Sequence, residues 1–158
     1  MSAAIETFLP SWQHARGLTR DFIRAVPDHR WHWSPHPRYG SMAKQFRHLL
    51  CVEGVYLDGL KNRVASFETK HSHYSGPLES QALLAALETM DVQLEQTLRA
   101  IPLEAEEDFE VEFYGRQKLR TYLNTFLYHE ALHQGQWSFY ATLGGFDTPR
   151  SWQLNWGL

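Results

Sequence analysis

A chain of 158 residues, 43% hydrophobic and 14% aromatic, can bury a core of its own and is too apolar to remain disordered. Fifteen Lys and Arg against 18 Asp and Glu leave a formal charge of −3 with no basic run, which argues against a nucleic-acid partner. The single cysteine, Cys51, excludes an intramolecular disulfide, and no apolar run approaches the roughly 18 residues that span a bilayer.

The first residues show neither the basic nor the apolar region of a signal peptide. The expectation is one domain over residues 1–158, free of membrane and cytoplasmic.

The first helix is expected to start between Ala3 and Pro10 and to run to Ala25, with Leu9, Trp12, Ala15, Phe22 and Val26 along one face. Pro10 suits a first turn, where its missing N–H is not needed, and Pro27 closes the helix. Residues 27–40 hold three prolines and the cluster Trp31, His32, Trp33, His36 and Tyr39. His29, His32 and His36 have no helical register there, so loop packing is favoured over metal binding.

Ser41 reads as the N-cap of a second helix whose centre carries Met42, Phe46, Leu49, Glu53, Tyr56 and Leu60. His48 lies about 100° from Leu49 on the flank of that stripe, where a side chain can reach a site between two helices. Taken alone, it reads as a boundary residue, and Cys51 as a buried, inert thiol. A polar stretch from Asn62 to Gly76 places His71 and His73 in an exposed loop.

A third helix, from near Pro77–Gln81 to Arg99, carries the stripe Leu83, Leu84, Leu87, Met90, Leu94 and Leu98, which reads as core packing. From Pro102 the chain turns acidic. Phe109, Val111 and Phe113 then alternate with Glu110 and Glu112 as in a short strand, and Tyr114-Gly115-Arg116 reads as a turn.

The fourth helix is expected from about Gln117 to Leu143, stopped by Gly144-Gly145. It contains the segment His129-Glu130-Ala131-Leu132-His133-Gln134-Gly135-Gln136. His129 and His133 are i and i+4, on one face with Cβ atoms roughly 5 to 6 Å apart, close enough to share an ion. That face is read as also carrying Tyr122, Thr125, Phe126 and Leu132, so it is expected to point inward, and a buried imidazole without a partner costs about 1 to 3 kcal/mol. Either an ion satisfies both rings, or they bond backbone carbonyls, Gln136 or Tyr140. In the tail to Leu158, Trp152 and Trp156 are expected to pack on the helices or on a second subunit.

Four long amphipathic helices with a short strand or extended segment before the last describe an all-α four-helix bundle, whose sites are built by inward side chains from different helices. The last-helix segment, with Phe46-Arg47-His48-Leu49-Leu50 and Glu53, resembles the DinB-like (YfiT-like) family of metal-dependent bacterial proteins over nearly the whole chain. The resemblance implies a four-helix bundle, often dimeric, in which His48, His129 and His133 hold a divalent metal. Many members have a basic residue before the Gly-Gln pair, where this chain has Gln134.

Three imidazoles leave coordination positions open, as in catalytic zinc sites, and imidazole also suits nickel and iron. Relatives include S-transferases that use bacillithiol or mycothiol, and a maleylpyruvate isomerase. The resemblance therefore implies a thiol S-transferase with a low-molecular-weight thiol, a small-molecule substrate and a homodimer. A metal-dependent hydrolase and a non-catalytic metal-binding stress-response protein are the alternatives. Glu130 and Gln136 are candidates to orient a ligand ring or a bound water, with a solvent-exposed carboxylate the plainer reading for Glu130.

His-Glu-x-x-His is also the signature of zinc proteases, but no glutamate follows Glu130 to act as a third ligand. A metal-free bundle with internally bonded histidines is the remaining rival.

Overall fold

The structure, a computed structural model, describes residues 2–100 and 107–157. The acidic turn expected from Pro102 begins outside them. Four long helices dominate: α1 (Ala3–Ala25), α2 (Met42–Asn62), α3 (Ser80–Ala100) and α4 (Leu119–Gly144). The pairs α1–α3, α1–α4, α2–α3 and α2–α4 all pack together.

The sequence logic of each helix is visible at its ends. The Ser41 hydroxyl caps α2 by accepting from the Lys44 N–H at 3.4 Å, and Arg63 ends it in the left-handed conformation. Gly145, at φ 69°, stops α4 in the same way without a Cβ penalty. Pro10 departs from expectation, because α1 begins at Ala3 and the proline lies inside it. It is exposed, so the Glu6 carbonyl that it leaves without a helical partner is on the solvent side.

A small sheet, not foreseen as such, joins the ends of α2 and α4. Strand β1 (Val64–Ala65) runs parallel to β2 (Asp108–Val111), with Ala65 opposite Val111, and β2 pairs antiparallel with β3 (Gly115–Lys118). The single expected strand is thus one arm of a hairpin, whose bend falls at Glu112–Tyr114. A seven-residue helix α5 (Arg150–Trp156) forms in the tail; its Trp152 is fully buried and donates Nε1–H to the Leu18 carbonyl at 2.9 Å. Trp156 stays partly exposed against Trp152.

Apolar side chains fall into two clusters. One gathers Phe8, Trp12, Tyr56, Leu94, Leu98, Phe109, Tyr122 and Phe126. The other gathers Phe22, Phe46, Leu49, Leu83, Leu87, Trp137 and Trp152. Between them, on all four helices, lie Arg16, Glu53, Asp91 and Glu130. A polar layer thus divides the core.

Close packing at glycines sets two further contacts of α2. A Cβ on Gly59 would lie 2.0 Å from the Tyr122 Oη, which donates to the Tyr56 carbonyl at 2.6 Å. A Cβ on Gly54 would lie 2.4 Å from the His73 ring, so His73 is partly covered by α2 instead of standing in an open loop.

Candidate metal centre

His129 and His133, one turn apart on α4, meet His48 of α2 at the edge of the polar layer. Their ring centroids are 4.5 Å apart, and 5.4 and 5.1 Å from His48. One ligand atom from each ring lies within 4.8 Å of the other two. Stacking of Trp137 on His133 at 5.7 Å and the edge of Tyr56 on His129 at 6.4 Å hold the two α4 rings in place.

The Nε2 atoms of His129 and His133 face each other at 3.1 Å. Two nitrogens on a tetrahedral zinc, at about 2.0 to 2.1 Å from the ion, would be about 3.3 Å apart, so this spacing suits a shared cation. Without one, only one ring can donate to the other, and the buried Nδ1 of His129 has no partner among the described residues.

Electrostatics favour the ligating form. Burial, reinforced by His133, His48 and Arg16, lowers the pKa of His129 to about 2. Burial and His48 lower His133 to about 4, with a side-chain hydrogen bond to Gln136 acting the other way. Burial first, then Lys70 and His71, also lowers His48. Neutral imidazoles present lone pairs to a cation without releasing a proton. The donor set therefore fits a divalent metal.

Glu130 departs from both expectations for it. One residue beyond His129, it points about 100° away around α4 and is fully buried against α1. It bonds neither α4 imidazole: its Oε1 accepts from Arg16 Nη1 at 3.2 Å and from the Thr19 hydroxyl. Arg16 also pairs with Glu53 through Nη2 and with Asp91 through Nε at 2.9 Å. Gln134 completes the group, donating to the Ala15 carbonyl at 2.8 Å and the Thr19 hydroxyl at 2.9 Å.

Burial alone would lower the pKa of Arg16, but Glu130, Glu53 and Asp91 outweigh it and raise the net value. Burial lifts Glu53 well above the usual carboxylate range despite Arg16, with the neighbouring Glu130 and Asp91 acting in the same direction. Glu53 Oε1 and Glu130 Oε2 are buried without a hydrogen-bond partner among the described residues.

The remaining expected residues fall where their surroundings dictate. Gln136 is exposed and reaches His133. The Tyr140 hydroxyl donates to the loop, with the Tyr39 and Gly40 carbonyls at 3.0 and 3.1 Å, and takes no part in the histidine cluster. Cys51 is buried, its thiol pushed up by burial. His29, His32 and His36 are exposed.

Arg16 and Asp91 were not singled out from the sequence, although a signal existed. Arg16 falls on the buried line Trp12, Arg16, Thr19, Ile23 of α1, and Glu53 on the central stripe of α2. Opposite charges at inward positions on two helices are a pair waiting to be matched.

A cavity of about 360 Å³ opens beside His48 and His129, walled by Val52, Tyr56, Phe67, Phe113 and Tyr114. Larger clefts of about 540 and 400 Å³ lie along α4 toward its C-terminal end, and none of the three histidines lines them. No described helix is long and apolar enough to cross a membrane.

Comparison with known proteins agrees with this architecture. No curated protein matches the sequence. A crystal structure of a DinB-like protein from Bacillus cereus ATCC 10987 superposes with a TM-score of 0.74 over 92% of this chain and 95% of that one, at 19% identity. The family model of the DinB superfamily matches residues 11–137, which include all three histidines and the polar layer, and the chain belongs to that superfamily.

Proposed function

We propose that this chain is a metal-dependent enzyme of four-helix-bundle type, with His48, His129 and His133 as ligands of one divalent ion, zinc before nickel or iron. The observation that carries the reading is three imidazoles, held neutral, whose ligand atoms converge within 4.8 Å at the mouth of a cavity. Such an ion supplies one thing, a lowered pKa for a thiol or water that shares it.

The chain's residues do the rest. Trp137 and Tyr56 fix the rings, and Gln136 holds a hydrogen bond to His133. Thiol S-transfer with a low-molecular-weight thiol is the reaction we favour, with metal-dependent hydrolysis second. A binding protein without catalysis would need no cavity beside its ion.

The test is elemental analysis of untagged protein beside His48→Ala and His129→Ala, followed by S-transfer assays with bacillithiol and mycothiol. One equivalent of metal in the wild type, lost in both variants, is expected. A full equivalent retained in a His129, His133 double variant overturns the assignment.

We further propose that two copies associate through α4. Tyr128, Leu132, Phe139 and Leu143 stand exposed along it, and a Cβ on Gly135 between them would meet nothing within 4 Å. From Thr121 to Gly144 the sole Asp, Glu, Lys or Arg is the buried Glu130. The pattern is symmetric about the Gly135–Gln136 bond, so an antiparallel twofold pairing sets Tyr128 on Leu143 and Leu132 on Phe139. Light scattering should report a dimer for the wild type and a monomer for Leu132→Glu. A monomeric wild type at micromolar concentration overturns it.

A further inference from the structure

The cavity beside the histidines is chemically uneven. Its aromatic wall is continuous, with Tyr56 edge-on to Phe67 at 5.8 Å and Phe67 next to Phe113 at 5.9 Å. Phe113 sits at the tip of the β2–β3 hairpin, 82% exposed and at φ 75°, a left-handed conformation that a bulky residue rarely adopts. The hairpin thus holds a strained backbone while its ring stands open to solvent at the mouth of the cavity.

Three charged residues line the same space: Glu68, Lys70 and Glu112. Glu112 is engaged, its Oε2 accepting from the Ser66 hydroxyl at 3.1 Å and from the Phe67 N–H. Glu68 is exposed. Lys70, in the 3-10 turn Lys70–His73, is partly buried and has no ion-pair partner among the described residues. The hydroxyl of Tyr56, a residue otherwise buried, likewise has no hydrogen-bond partner among them.

We propose that this cavity binds a small, flat, apolar monocarboxylate, with its carboxylate on Lys70 and the Tyr56 hydroxyl and its body against Phe67 and Phe113. The inference rests on the metal reading above, since the rest of the molecule then faces His48 and His129. A single ammonium balances the one charge of a carboxylate and leaves the second charge of a phosphate unmatched, which two glutamates on the lining further disfavour. The volume, about 360 Å³, is at the small end of ligand pockets.

The experiment uses the full chain loaded with Co(II), whose visible absorption reports the ion, and measures benzoate against benzamide by calorimetry. Benzoate should bind about tenfold more tightly, the worth of one charge-assisted hydrogen bond. Lys70→Gln should bring the two ligands to within about twofold with the cobalt spectrum of the unliganded protein unchanged, and Phe113→Ala should weaken both alike.

Equal affinities in the wild type overturn the proposal. So does a benzoate preference that survives Lys70→Gln, because the ion alone would then hold the carboxylate. Cobalt uptake without dependence on Lys70 removes this inference and leaves the metal reading standing, whereas failure to take up cobalt removes both.

Discussion

Two groups of buried polar side chains meet at the middle of this core, and they solve the same problem in opposite ways. Around Arg16, opposite charges meet: one guanidinium against Glu53, Asp91 and Glu130, with Thr19 and Gln134 closing the edges. Around His129 and His133, the nitrogens face one another, and the protein offers nothing beyond Gln136 to satisfy them. A network that sets its charges against one another is architecture, whereas a converging set of lone pairs calls for something from outside. Their proximity makes the contrast testable.

The largest expected effect is in the closed network. Arg16→Met should cost about 3 to 5 kcal/mol in urea denaturation, because three carboxylates lose their buried partner. A loss under about 1 kcal/mol would mean that water or protonation already compensates them. Next comes removal of metal. Chelator should lower stability by about 2.7 kcal/mol relative to protein held at a hundred times the dissociation constant, and His133→Ala should be insensitive to chelator.

The pH response of the metal-free protein sharpens the contrast. The folded pKa values of His129 and His133, about 2 and 4, lie below the unfolded value near 6.5. As pH falls below about 6.5, the unfolded chain takes up protons that the folded chain refuses, so stability falls with pH. Glu53, raised in the folded state, acts with the opposite sign and costs stability as pH rises above about 4.5. Thermal melts of the wild type minus those of a His129→Gln, His133→Gln variant should isolate the histidine slope between pH 7 and 4. Parallel curves would show rings already open to water.

The smallest effect belongs to Gln136. Its removal to Ala should leave stability unchanged and weaken metal affinity about tenfold in a competition titration with a chromophoric chelator.

Much of this could be read from periodicity. The four long helices and the pairing of His129 with His133 follow from spacing, because a helix repeats its face every three to four residues. Ser41 is read instead from its residue type, and His48 joins the pair only through the family resemblance. The Arg16 network was harder to read. Glu53 appeared within an apolar stripe, and its partner lies 37 residues away on another helix, a pairing that no local pattern carries. Glu130 misled for a related reason, since an i+1 neighbour of a ligand looks close in sequence yet faces a different helix. The sheet was missed because Val64 and Ala65 are too few for alternation to register, and their strand exists only through its pairing with Glu110 and Val111.

His129 and Glu130 are consecutive residues of a rigid rod, and that adjacency has a mechanical meaning. The carboxylate is clamped to α1 and α2 by Arg16, so α4 has its rotation indexed as a key is by its notch. Turning the rod to withdraw His129 would drag a charge out of its lock. The angular setting of two ligands is thereby fixed by a contact that never touches them, and damage to Arg16 should reach the metal as misalignment instead of lost chemistry.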